Sequence, residues 1–273
     1  MLAGLSGVLF SFCGTEPLQY YNTPKLAFET SASCPETAFR AILGNIKEEM
    51  ALKTIEAGGR SVHVFLPDAQ PRLKIWAHMG AEEARALFAA AGDGIALFAA
   101  EGHDWNADLS PWPAKACFRG GEDFAGRAPA QLKWLEGAIL QAEAVLPGAE
   151  ALPRAILGYS LAGLFALWAA AECGLFDMAA SVSGSLWFDG FDRFLKERAG
   201  RFASKAVYLS LGDREAKTRN ARLACVQEAT ENARALLADA GAECVFELNP
   251  GNHFNDPTGR CARGARWLVG EVR

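Results

Sequence analysis

A chain of 273 residues that is 51% hydrophobic can bury one full core. Lysine plus arginine number 27 and aspartate plus glutamate 32, for a net charge of −5. No basic patch stands out, which argues against nucleic acid as a partner, and no stretch is long and apolar enough to span a membrane.

Residues 1–49 lack clear periodicity. Their first twelve positions are apolar, but no lysine or arginine precedes them, so a secretory signal is poorly supported. Lys47-Glu48-Glu49-Met50 fits a purine-rich ribosome-binding sequence running into a start codon. Met50 therefore reads as a natural start, residues 1–49 as an extension that is non-native or poorly ordered, and residues 50–273 as the folded domain. From about Gly59 onward, short apolar runs alternate with helical ones. Strands are expected over 61–66, 73–77, 95–99, 155–159, 178–182, 206–211 and 244–248. Helices are expected over 82–91, 128–145, 161–173, 221–240 and 259–272. That alternation implies an α/β fold, a mostly parallel twisted sheet with helices on both faces and ligands at the carboxyl ends of its strands. A long loop, 103–126, carries Trp105 and Trp112. Loops of that length inside a domain are functional or disordered, and the tryptophans argue against disorder. With Trp187 they are candidates to roof an apolar acyl or aromatic pocket.

Gly158-Tyr159-Ser160-Leu161-Ala162-Gly163 sits between the strand at 155–159 and the helix at 161–173. A serine at such an apex adopts strained φ/ψ and presents its hydroxyl above the sheet. Gly158 and Ala162 stay small because strand and helix backbones pass close there. The Leu161 N–H lies at a helix N-terminus, where partial positive charge favours an oxyanion.

A serine hydroxyl needs a base, and the base needs an orienting acid. Of the four histidines, His63, His78, His103 and His253, only His253 follows Ser160. It occupies a turn-rich loop after the strand at 244–248. His63 alternates with apolar residues and reads as an outward strand position, and His103 as a loop residue near the cleft. The strand at 206–211 runs into Gly212-Asp213-Arg214-Glu215, which offers two acids. Glu215 lies three residues past the closing glycine and is preferred; Asp213, nearer the strand end, is the alternative. Met79, before Gly80, is the candidate for a second oxyanion donor.

These stretches resemble the putative-esterase family of α/β-hydrolases, which includes enterochelin-type, feruloyl and acetyl esterases. The elbow is similar to that family's Gly-His-Ser-x-Gly-Gly-Leu-x-Ala-Leu. Ser183-Gly184-Ser185-Leu186-Trp187-Phe188 resembles its Ser-Pro-Ser-Leu-Trp-Trp, Asp108-Leu109-Ser110-Pro111 its Asp-Leu-Thr-Pro, and Asn252-His253-Phe254 its histidine loop. The resemblance implies the α/β-hydrolase fold and a carboxylic ester hydrolase working through Ser160, His253 and an acid, with an acyl-enzyme intermediate and no cofactor or metal. Acyl transfer on the same scaffold and a non-catalytic binding protein are the alternatives. Tyr159 stands where the family has histidine and joins Trp105, Trp112 and Trp187 as a candidate substrate contact. Two arginines that precede the Asp-Leu-Thr-Pro stretch in siderophore esterases are replaced by Trp105 and Ala107. Small uncharged esters are therefore expected over anionic iron–catecholates. Seven scattered cysteines without a Cys-x-x-Cys argue against a disulfide framework and structural zinc. They imply a reducing, cytoplasmic setting.

Overall fold

A computed structural model describes residues 51–272. The expectations for residues 1–49, and for Met50 as a start, lie outside the described residues. The elements in chain order begin with β1 Ala51–Ala57, β2 Arg60–Leu66, β3 Leu73–His78, α1 Ala81–Ala91 and β4 Ile95–Glu101. A short helix α2, Trp105–Asp108, and a two-stranded ribbon, β5 Pro113–Ala114 with β6 Phe124–Ala125, follow. Then come α3 Ala128–Ala142, β7 Arg154–Tyr159, α4 Leu161–Glu172, β8 Met178–Val182, α5 Phe191–Arg198 and β9 Ala206–Gly212. The last are α6 Ala221–Ala224, α7 Val226–Asp239, β10 Glu243–Asn249 and α8 Pro257–Gly270.

Eight strands form one sheet in the order β1-β2-β4-β3-β7-β8-β9-β10. β4 through β10 run parallel along that order, while β1 and β2 are antiparallel additions at one edge. β3, β8 and β9 are buried at every position, which is why they read as near-continuous apolar runs broken only by Lys74, His78, Ser181 and Ser210. α1 and α8 cover one face through Leu87, Phe88, Ala262 and Leu268. α3, α4 and α7 cover the other through Leu135, Phe165 and Leu237. All of α4 except Glu172 is buried, so it is apolar around its whole circumference rather than along a stripe.

Three expectations are corrected. The sequence reading placed no strand before Gly59, yet β1 pairs with β2 along its whole length. Gly58 and Gly59 make the two-residue hairpin turn at φ 56° and 79°, a conformation open to residues without a Cβ. The helix expected over 128–145 ends in a 3₁₀ turn at Glu143–Val145, and the one expected over 221–240 breaks at Cys225 into α6 and α7. Helix α5 was not foreseen.

At the amino ends of β3 and β7, Glu143 bolts the layer beneath α3. It accepts from Lys74 Nζ at 2.9 Å, Trp76 Nε1 at 2.9 Å, and Arg154 Nε and Nη2 at 2.6 and 2.8 Å. Burial alone would raise its pKa, but the Arg154, Trp76 and Lys74 hydrogen bonds outweigh that and hold the carboxyl below its ordinary range. The Lys74 side chain is 2% exposed. Glu143→Ala would strand that ammonium without a counter-charge, and the expected loss is about 3–5 kcal/mol of unfolding free energy. A urea titration measures it; a loss under roughly 1 kcal/mol, the scale of an exposed ion pair, would refute the bolt.

Candidate active site

β7 delivers Ser160 to the carboxyl edge of the sheet at φ 58° and ψ −121°. The turn is forced by close packing. A Cβ on Gly158 would overlap the Ala162 carbonyl, and one on Gly163 would lie 3.0 Å from the Gly158 oxygen and the Gly184 Cα. Backbone bonds hold the strained residue from both sides. Ser160 N–H donates to Val182 O at 3.0 Å, and Ser160 O accepts from Ser185 N at 3.0 Å. That oxygen also accepts from Gly163 N and Leu164 N as α4 begins. The Leu161 N–H is one of the donors that the first turn of a helix leaves unpaired. It has no partner among the described residues.

β9 and β10 bring two further side chains to the same edge. Their extensions are zipped together. Asp213 N donates to Asn249 O at 2.8 Å, Arg214 N to Gly251 O at 3.0 Å, and Gly251 N to Asp213 Oδ1 at 2.8 Å. The loop then presents His253 with Nε2 3.0 Å from Ser160 Oγ and Nδ1 2.7 Å from Glu215 Oε2. A carboxylate only accepts, so Nδ1 carries the ring proton and Nε2 accepts from the serine hydroxyl. Burial pushes the Glu215 pKa upward, but the hydrogen bond and charge of His253, followed by the Gly212 N–H, outweigh it and hold the carboxyl below its ordinary range. Asp213 does not reach the imidazole. Its side chain is 51% exposed and caps the Gly251 amide.

Two residues around this line escaped the sequence reading. Ser183, a non-glycine at φ 48°, donates its hydroxyl to Glu215 Oε1 at 2.8 Å. Arg260 of α8 is fully buried and donates to the same oxygen at 3.0 Å. A charge on the stripe that carries Cys261, Gly264, Ala265 and Leu268 was the available signal.

Met79 requires correction. Its N–H donates to Ala100 O at 3.2 Å, continuing the β3–β4 ladder, so it is not free to meet an oxyanion. The Tyr159 hydroxyl donates to the His253 carbonyl and so braces the histidine loop from below. Trp112 Nε1 donates to Asp189 O at 2.9 Å, and its ring packs on Phe188 and Phe194. Trp187 packs on Phe124 and Phe188 and lies 5.3 Å beneath the Arg222 guanidinium. These rings anchor the loop that holds α2 and the ribbon, and both stay partly exposed. Trp105 leans on His103 at 5.8 Å.

The remaining histidines are occupied elsewhere. His63 bonds Thr54 and Glu101 on β1 and β4. His78 is buried against Gln131 and Phe165. Burial, then the charges of His103 and Arg60, hold its pKa well below the ordinary value. Burial followed by the Arg60 charge takes His103 down to about 4, against smaller upward pulls from Asp108, Glu101 and Asp104.

Residues 138–255 match the family described as putative esterase, a span that holds the elbow, the acid turn and the histidine. The fold is the α/β-hydrolase fold. An IroE-like serine hydrolase from Shewanella oneidensis superposes with a TM-score of 0.69 at 16% identity, covering 81% of this chain and 80% of that one. The siderophore hydrolase EstB from Aspergillus nidulans gives 0.60 at 15% identity, covering 90% and 99%. A ferulic acid esterase gives 0.54 at 14% identity, covering 82% and 98%. No curated protein matches. The α/β-hydrolase fold and the esterase match together support ester hydrolysis as the general activity. No helix among the described residues is long and apolar enough to cross a membrane.

Proposed function

We propose that the chain is a serine esterase in which Ser160, His253 and Glu215 form the catalytic triad. The observation that carries this reading is the unbroken line of hydrogen bonds from Ser160 Oγ through the imidazole to Glu215, at 3.0 and 2.7 Å. His253 Nε2 takes the hydroxyl proton as Ser160 Oγ attacks the ester carbonyl, and Glu215 stabilises the imidazolium. The Leu161 N–H donates to the oxyanion. Collapse of the tetrahedral intermediate breaks the bond to the alcohol, which leaves with the proton from His253. Water then enters by the same base, and the acid product departs with Ser160 restored.

Uncharged acyl esters are the preferred substrates in this reading. Three arginines on the neighbouring segments are already matched. Arg127 pairs with Asp104 and Asp108 at 3.4 and 3.1 Å, Arg60 with Asp108 at 3.0 Å, and Arg222 with Asp189 at 2.9 Å. Arg119 and Arg214 are exposed to water. Burying a polyanionic iron–catecholate requires cations directed into the pocket. The purified chain is expected to hydrolyse 4-nitrophenyl acyl esters with a higher kcat/KM than a ferric catecholate trilactone, and a fluorophosphonate is expected to abolish both activities. A folded chain that turns over no ester would overturn the function, and preference for the iron complex would overturn the substrate class.

A further inference from the structure

The geometry points to Arg260 as a positioning residue that sets the Glu215–His253 bond from behind, an inference that rests on the triad reading above. Its guanidinium holds both ends of that bond. Nη1 donates to Glu215 Oε1 and to Ser183 Oγ, each at 3.0 Å. Nη2 donates to Pro250 O and Asn252 O, each at 3.0 Å, and those carbonyls belong to the loop that presents His253. The acid comes from the end of β9 and the base from the end of β10, so one rigid fork ties two separately folded turns.

The fork also decides which carboxylate oxygen faces the histidine. Glu215 Oε1 accepts from Arg260, Ser183 Oγ and Gly212 N, at 3.0, 2.8 and 2.6 Å. Oε2 is left to the imidazole. Space reinforces the bonds, because a Cβ on Gly212 would overlap the Gly251 carbonyl and lie 2.7 Å from Arg260 Nη2. Arg260 is 0% exposed and Glu215 4%, so water does not substitute for either partner. Lysine keeps the charge but offers no planar fork with two ends. The groups facing the imidazole are Glu215 from the β9 turn and Tyr159 from β7, with Arg260 of α8 acting through Glu215; Asp213 faces Gly251 N instead.

The test separates geometry from charge. Arg260→Lys, Arg260→Met and His253→Ala are assayed on 4-nitrophenyl acetate, with active sites counted by exhaustive fluorophosphonate titration. Arg260→Lys is expected to lower kcat per titrated site about 10- to 100-fold with KM unchanged, because the contact lies behind the catalytic groups. Its kcat/KM profile should keep the wild-type acidic limb. Arg260→Met should lose at least as much kcat and move that limb to higher pH, because Glu215 then gives its whole charge to the imidazolium. Unchanged kcat per site and an unmoved limb in both variants would sink the proposal. If His253→Ala keeps wild-type turnover, the triad reading itself has failed; if it is inactive while the Arg260 variants are normal per site, only the positioning role has. Should Arg260→Met not fold, Ser183→Ala takes its place. It removes one donor from Glu215 Oε1 and should lower kcat several-fold without moving KM, and an unchanged kcat together with a normal Arg260→Lys would overturn the role.

Discussion

Ser160→Ala is expected to lower kcat by a factor on the order of 10⁶, the scale of losing the serine from a protease triad. The size follows from what disappears. Without Oγ no acyl-enzyme forms, and the Leu161 N–H and the binding surface alone leave only a small residual rate. A fluorophosphonate should bond covalently to Ser160 and to no other residue, and peptide mapping of the labelled chain reads this directly. Among the described residues His78 bonds Gln131 and packs on Phe165, His103 lies against Trp105, and neither bonds a serine hydroxyl, so neither is placed to activate a second nucleophile. Wild-type protein that is folded yet unlabelled, or labelled only elsewhere, would remove Ser160 from the mechanism. The variant should keep its melting temperature, which separates a chemical loss from unfolding.

Glu215→Gln should cost about 10⁴ in kcat, as loss of the orienting acid does in the well-studied proteases. The amide group turns a donor toward Nδ1–H or leaves it a weaker acceptor, so the productive tautomer is no longer favoured. Asp213→Asn should change kcat by only a few-fold, because an amide oxygen still caps the Gly251 N–H. Glu215→Gln also leaves the buried Arg260 without its carboxylate. Rates must therefore be expressed per titrated site rather than per mole of chain. Equal and mild effects at both positions would reduce the machinery to Ser160 and His253, and the reverse ranking would move the acid to Asp213.

The sheet was legible where burial is two-sided. β3, β8 and β9 carry apolar residues at nearly every position, and such runs between turn signals leave few alternatives. β1 was not legible for the opposite reason. It is an edge strand whose Lys53, Thr54 and Glu56 are exposed, and its one strong signal, the Gly58-Gly59 pair, reads equally well as the start of the fold and as its first turn. The break at Cys225 escaped because α6 and α7 together keep a helical period. At the site, residue type identifies a serine elbow and an acid-bearing turn, since steric closeness and strand ends constrain them. The direction of a backbone amide leaves no mark in residue type, so the bond from Met79 N to Ala100 O could not be read. Arg260 was missed because charged residues on helices default to solvent, and only its place on an otherwise apolar stripe argued against that.

The positive φ at Ser160 has a consequence for any attempt to harden this protein. A non-glycine residue held at φ 58° costs about 1–3 kcal/mol of folding free energy. Glycine at the same place would relax that strain and delete the nucleophile. Selection for heat resistance and selection for turnover therefore pull position 160 in opposite directions. A library sorted on survival at high temperature alone will enrich inactive members at this position, while substitutions around Glu143, remote from the chemistry, face no such conflict.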